Sequence, residues 1–166
     1  MSDQDRPPPA ASRLTMPRYY QAAAAGAGLL PWAHVVERLE RELNYWIATT
    51  RPDGRPHVTP VWGVWVDEAF FFDGIFTARW ARNLAANPAI AVHLESGADV
   101  VILDGSADDT IADAHVAARI VEAWSAKYGR LLPDPAGRGM YRLRPRTVRA
   151  WRRFPDDATR WRFEGS

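Results

Sequence analysis

From Pro31 onward the apolar and polar positions recur with two distinct periods. Val35, Val36, Leu39 and Leu43 fall at helical spacing, with Glu37, Arg38, Glu40 and Arg41 opposite them, which predicts an amphipathic helix with Pro31 near its start. The period then changes to that of a strand. Tyr45–Thr50 is rich in aromatic and β-branched residues, Pro52-Asp53-Gly54 is a turn signal, and His57–Val66 is a second strand, so the pair predicts a hairpin. Asp67-Glu68 turns the chain into a third strand, Phe70–Phe72, completing an antiparallel meander. Thr77–Asn87 reads as a short helix with Thr77 as N-cap, ended by Asn87-Pro88. Ile90–Leu94 and Val100–Leu103, the latter running on past Gly105, are strands separated by a turn at Ser96–Asp99. A long helix follows over Thr110–Tyr128, with Ile111, His115, Ala118 and Val121 near one face. After a loop over 129–138, rich in proline and glycine, Met140–Leu143, Thr147–Trp151 and Arg160–Phe163 read as strands.

The sum is a mainly β (α+β) domain over 31–166, a six- to eight-stranded antiparallel barrel with two to three inserted or flanking helices. One strand decides for a barrel. His57, Thr59, Val61, Gly63 and Trp65 point one way, while Val58, Trp62, Val64 and Val66 point the other, so the strand is apolar on both faces. A sheet with one wet face would alternate apolar and polar, whereas two buried faces imply a wall covered from outside by a helix or a second subunit. Residues 1–17, with the prolines at 7–9, read as a disordered tail. Ala22–Leu30 reads as loop or weak helix. It is a poor signal-peptide core, because the segment before it is long, Pro-rich and carries acids, so the cytoplasm is the expected compartment.

Composition narrows the chemistry. The chain holds no cysteine, which removes thiolate nucleophiles, disulfides and iron–sulfur clusters. The formal net charge is +1, so no global field gathers nucleic acid or acidic lipid, and no run is long enough to span a bilayer. Lys127 is the only lysine, and the remaining positive charge is arginine, suited to bidentate contacts with phosphate or carboxylate. The histidines His34, His57, His93 and His115 have no pair at zinc-site spacing, and no metal is expected.

The most informative segment is Thr77-Ala78-Arg79-Trp80-Ala81-Arg82-Asn83-Leu84. It opens a helix directly after a strand, where free N–H groups and the positive end of the dipole favour an anion. Arg79, Arg82 and Asn83 stand at i, i+3 and i+4, so with the Thr77 hydroxyl they can converge on a phosphate, or equally form a solvated basic face. Trp80 and Leu84 share another face, suited to packing on the sheet. In Pro56-His57-Val58-Thr59-Pro60-Val61-Trp62, Pro60 denies the ladder a donor, which places an irregularity or an edge there and lets backbone groups face a ligand. His57 on this strand is the candidate proton donor, or else a satisfied wall histidine. Toward the end of the chain Arg142, Arg144 and Arg146 share a strand face by period two, followed by Arg149, Arg152 and Arg153 with Trp151 and Trp161 interleaved. That stripe reads as a partner subunit's contribution to a groove, as a single-strand nucleic-acid stripe, or as an outer face paired with acids such as Asp108, Asp109 and Asp113.

The pieces "WIATTRPDGRPHVTPVW", "RWARNLAANP" and "VHLESGADVVILDG", in that order between Tyr45 and Gly105, resemble the pyridoxamine phosphate oxidase-like split-barrel superfamily, which binds FMN or the deazaflavin coenzyme F-420. The resemblance implies a homodimer with the cofactor in a groove at the subunit interface. It places Thr59, Pro60, Val61 and Trp62 along the ring edge, with Thr77, Arg79, Arg82 and Asn83 holding the phosphate beside Trp80, and Trp151 near the ring. Trp80 departs from the pattern, since many members carry a lysine there, which leaves the choice between FMN and F-420 open. The implied activity is that of a flavin- or deazaflavin-dependent oxidoreductase transferring hydride to or from a small-molecule substrate. A non-catalytic flavin or haem carrier and a nucleic-acid-binding barrel are the alternatives.

Overall fold

The computed structural model describes residues 8–21, 28–129 and 131–163. These hold nine strands and four helices in the order β1 (Ala11–Arg13), α1 (Arg18–Gln21), α2 (Trp32–Arg41), β2 (Tyr45–Thr50), β3 (Pro56–Val61), β4 (Gly63–Val66), β5 (Ala69–Asp73), α3 (Arg79–Ala86), β6 (Ala89–Leu94), β7 (Val100–Asp109), α4 (Ala114–Tyr128), β8 (Met140–Trp151) and β9 (Thr159–Arg162). All pairings are antiparallel, along the path β1-β9-β8-β7-β6-β2-β3, with β4 on β5 and β5 on β8. The α+β split-barrel expectation therefore holds, with one more strand and, counting α1, one more helix than the upper counts.

Three local differences explain the count. The strand read over His57–Val66 breaks at Trp62 into β3 and β4. The strands read at Met140–Leu143 and Thr147–Trp151 are one continuous β8, which crosses Pro145 because the register with β7 shifts between Asp104 and Gly105. A Cβ on Gly105 would lie inside the Arg144 carbonyl oxygen and 3.0 Å from Pro145 Cα, so only glycine lets the two backbones approach this closely. Within the segment read as a disordered tail, Ala11–Arg13 instead pairs with β9 as β1. The free edge of β9 supplies the backbone partners, and the Arg13 guanidinium donates to the Asp156 carbonyl at 2.7 Å. Residues 1–7, and 22–27 of the stretch read as loop or weak helix, lie outside the described residues.

β8 makes the barrel split. Its whole length pairs with β7 on one side; on the other, Met140–Leu143 pairs with β5 and Thr147–Ala150 with β9. The interior is filled by Tyr45, Ile47, Trp65, Phe70, Phe72, Val92, Leu103, Leu143, Val148 and Trp161, closed by Val35 and Leu39 of α2 and by Trp80 and Leu84 of α3. A second cluster lies outside the wall, where Val64 and Val66 meet Ile120 and Trp124 of α4. β4 is thus buried on both faces, as the pattern predicts, and α4 is the covering helix. Each such apolar side chain contributes about 1.5–3 kcal/mol by leaving water.

The helix boundaries follow from capping. α2 ends where the Glu42 N–H reaches the Arg38 carbonyl, leaving Leu43 outside the helix and exposed rather than in its stripe. α4 begins at Ala114, not Thr110, because β7 runs to Asp109. The Asp113 carboxylate then accepts from His115 N and Val116 N at 3.0 Å each. That start rotates the packed face to Val116, Ile120, Ala123 and Trp124, and leaves Ile111, His115 and Ala118 exposed. Among the described residues no helix is long and apolar enough to cross a membrane.

Candidate functional site

α3 connects β5 to β6. Ala78 N bonds the Ile75 carbonyl at 2.9 Å, closing a turn, so the helix starts one residue later than its sequence suggests. Ala78 is the N-cap and makes no side-chain capping bond; Thr77 lies in the loop before it, exposed. On α3 itself Trp80, Ala81, Asn83 and Leu84 are buried, while Arg79, Arg82, Ala85 and Ala86 are exposed.

This divides the expected phosphate cluster. Thr77, Arg79 and Arg82 remain on the accessible side. Trp80 does not face a ligand: its ring packs edge-on to Tyr141 at 4.7 Å and against Phe72 at 5.3 Å. Asn83 also turns inward, fully buried, and donates from Nδ2 to Thr49 Oγ1 on β2 at 3.0 Å, leaving its Oδ1 buried and without a partner among the described residues. The reason is helical geometry. Positions 82 and 83 both neighbour 79, yet they diverge by about 100° around the axis, and 83 falls on the Trp80–Leu84 stripe.

Arg82 lines an open cavity of about 400 Å³ between α3, the end of β7 and the start of β8. Ala81, Leu84, Ala85 and Ala107 give it apolar walls, with Phe76 and Tyr141 as aromatics and Asp108, Asp109 and Arg138 as its other charges. Those charges are already matched. Asp109 accepts from Arg138 at 3.0 and 3.2 Å and from Gly139 N at 3.0 Å, and Asp108 faces Arg142 and Arg144 at 3.4 Å each. Arg79 and Arg82 make no ion pair among the described residues. Burial holds the Tyr141 phenol above its ordinary value, so it stands at the cavity as a neutral hydroxyl. Phe76, Arg138 and Tyr141 escape the sequence reading, which met Asp108 and Asp109 only as acids facing the arginine stripe. Phe76 lies in the loop leading into α3, and the β7–β8 register, which pairs Asp109 with Tyr141, brings the others to it.

β3 is an edge strand, as Pro60 suggests. By register His57, Thr59 and Val61 stand opposite Thr49, Ile47 and Tyr45 and share their inward face, while Val58 and Pro60 are exposed on the other. His57 Nδ1 is buried without a hydrogen-bond partner among the described residues, beside the Thr49–Asn83 pair. Trp62 occupies the break between β3 and β4 and stacks on Tyr128, with ring centroids 4.6 Å apart and planes 7° from parallel. The Tyr128 hydroxyl accepts from Gly63 N at 2.9 Å, and burial pushes its pKa up to about 12. None of Thr59, Pro60, Val61 and Trp62 lines the α3 cavity.

Trp151 is remote from α3 within one chain. It pairs with Val100 and packs on Phe154, whereas the cavity uses Ala107–Asp109, seven or more residues along β7 and roughly 20 Å away at strand rise. Of the arginine stripe, Arg142 and Arg144 pair with Asp108, and Arg149 with Asp104, as an ion-paired outer strand face.

Comparison with known proteins places this geometry. The family model described as pyridoxamine 5'-phosphate oxidase matches residues 32–152. No curated protein matches the chain. Among solved structures, an F-420 reductase is 29% identical with a TM-score of 0.52, over 66% of this chain and 91% of that one. A conserved hypothetical protein from Mycobacterium tuberculosis is 21% identical, TM-score 0.62, over 76% and 87%. A haem storage protein from Vibrio cholerae is 22% identical, TM-score 0.55, over 68% and 88%.

Proposed function

The chain belongs to the pyridoxamine 5'-phosphate oxidase family, and from that membership we propose that it is a flavin- or deazaflavin-dependent oxidoreductase whose α3 holds the phosphate-bearing tail of FMN or F-420. One observation carries the reading. Arg79 and Arg82, one turn apart and exposed, have no ion pair among the described residues, and Arg82 borders a cavity whose own carboxylates are already neutralised. Two unmatched guanidiniums on one helical turn suit an anion with several acceptor oxygens.

The residues fit such a group in three ways. Arg79, Arg82 and the Thr77 hydroxyl would bind the phosphate. The apolar walls of the cavity flank it. The edge strand β3, with Thr59, Pro60, Val61 and the clamped Trp62, would border the ring. When bound, the cofactor supplies hydride transfer to or from a small organic substrate, and the protein's part is binding, orientation and local electrostatics. A second copy of the chain would close the groove and bring its Trp151 to the ring, which one chain by itself does not do. His57, half-buried with a free Nδ1, is the nearest titratable group on β3 for proton delivery.

A non-catalytic carrier is the second reading. It is favoured by the likeness to a haem storage protein, and in it the same barrel holds flavin or haem without turnover. Titration of the apo-protein with FMN and with F-420, side by side, tests the anchor. Arg79→Ala with Arg82→Ala is expected to cost about 2–3 kcal/mol of binding, or roughly 30- to 150-fold in Kd. Unchanged affinity in the double variant sinks the anchor. Turnover of the reduced cofactor with an electron acceptor, or its absence, then separates enzyme from carrier.

A further inference from the structure

A second cavity, of about 290 Å³, opens between α2, β4 and α4 and shares no residue with the groove at α3. Val64, Trp65, Ala123 and Ala126 make it apolar, and Glu40 and Lys127 are its two charged residues. Lys127 is the only lysine of the chain. Its Nζ donates to Tyr45 Oη at 2.6 Å, to the Leu39 carbonyl at 3.0 Å and to the Gly63 carbonyl at 3.3 Å. The Tyr45 hydroxyl in turn donates to the Leu39 carbonyl, with the Glu42 carbonyl also in reach at 2.9 Å. The titratable groups facing this amine are Glu40 from α2, Glu42 just past its end and ion-paired with Arg38 at 2.7 Å, Tyr45 from β2 and Tyr128 from its own helix.

A structural ammonium would need only the three acceptors. The adjoining cavity and the phenol give the site a further capacity. Burial pulls the amine down to about 8, against the opposing pull of Glu40 and Glu42. About a tenth of Lys127 is therefore neutral at pH 7, far above the fraction of an ordinary lysine. Burial acts oppositely on Tyr45 and keeps its phenol protonated. A neutral amine, a protonated hydroxyl at 2.6 Å and an apolar chamber are what condensation with a carbonyl requires.

We propose that Lys127 is a carbonyl-capture site, forming an imine with small uncharged aldehydes or ketones admitted to the α2–β4–α4 cavity, with Tyr45 as the proton donor. The amine nitrogen attacks the carbonyl carbon; a C–N bond forms as the C–O π bond breaks, the Tyr45 hydroxyl protonates the oxygen and recovers a proton from the nitrogen, and a neutral carbinolamine results. Loss of that hydroxyl as water, with the remaining nitrogen proton released, leaves C=N; nothing is oxidised or reduced. Glu40 and Glu42 disfavour carboxylate-bearing carbonyls, so the class is neutral.

The test uses the full chain at pH 7 with acetaldehyde and cyanoborohydride, which traps the imine as a stable N-ethyl group, followed by peptide mapping. Lys127 is expected to be labelled at least about tenfold faster in the folded protein than in concentrated urea, where its pKa returns to about 10.4. Glyoxylate, measured against acetaldehyde, is expected to lose ground in the folded protein relative to urea. Lys127→Arg should abolish that label while the N-terminal amine still reacts, and Tyr45→Phe should slow it. Labelling of Lys127 only after unfolding, or at equal rates in both states, overturns the proposal and leaves the amine as a cap on α2.

Discussion

Asn83 separates a ligand-binding from a structural account of α3. Its amide is fully buried, bonded through Nδ2 to Thr49 Oγ1, while Thr49 is itself only 4% exposed. Asn83→Ala strands the Thr49 hydroxyl, which costs about 1–2 kcal/mol for the lost bond, and the emptied volume adds about 1 kcal/mol. The expected destabilisation of about 2–3 kcal/mol corresponds to a Tm lower by roughly 5–10 °C for a domain of this size. Removing both polar partners with Thr49→Val and Asn83→Leu should return stability to within about 1 kcal/mol of the parent, since neither member of the pair is then left without its partner. Urea melts of the parent, the two single variants and the double variant read the coupling directly. Titration of the folded Asn83→Ala protein with FMN and F-420 should give the parent's Kd within about twofold. A variant that melts like the parent but binds more than tenfold more weakly would falsify this placement and restore Asn83 to the phosphate.

Two further outcomes follow from other parts of the molecule. Because Lys127 titrates near 8 when folded and near 10.5 when unfolded, the unfolded chain binds the extra proton between those values, so stability should rise with pH across that window, by about 1–2 kcal/mol after allowance for partial exposure. Tyr45 and Tyr128, raised by burial, act in the opposite sense above about pH 10, so a maximum near that pH in the parent, flattened in Lys127→Met, is the signature; a monotonic fall from pH 7 in urea melts would contradict it. Gly105→Ala forces a Cβ into the Arg144 carbonyl at the bulge and should cost more than about 3 kcal/mol or prevent folding, whereas a loss under about 1 kcal/mol in the urea midpoint would mean that β7 and β8 do not approach so closely.

What the sequence conveyed was whatever is local. The hydrophobic period placed α2, β2, β6 and most of β7, and the two-faced run at Val64–Val66 announced a covered wall. The break at Trp62 was not visible: its indole stacks there on Tyr128, sixty-odd residues away, and no window around Trp62 contains that partner. Pro145 read as the end of a strand for the same reason. Its tolerance rests on Gly105 across the ladder, and no window around Pro145 contains that information. The period alone started the last helix at Thr110; it starts later, capped by Asp113, because β7 runs on to Asp109, which pairs with Tyr141. At the site, the arginines of α3 were legible from spacing. The opposite wall of the cavity was not, since Asp109, Arg138 and Tyr141 meet α3 only through strand register.

The position of α3 also explains how the proposed binding surface and a core element coexist in eight residues. Backbone pairing leaves the barrel unjoined between β3 and β4, linked only through Trp62, and β5 passes to β6 through α3 rather than by a hairpin. The interior beneath needs a lid, and Trp80, Ala81 and Leu84 provide it against Phe72 and Tyr141. Once that face is fixed by the core, the helical period sends Arg79 and Arg82 outward whatever they bind. Substitutions on the two faces should therefore have separable effects: inward-facing changes move Tm and leave cofactor affinity in the folded protein, and outward-facing ones do the reverse. If Arg79→Ala and Arg82→Ala lowered Tm as much as Asn83→Ala does, the lid and the anchor would be one device, and the division of labour argued from the helix would be wrong.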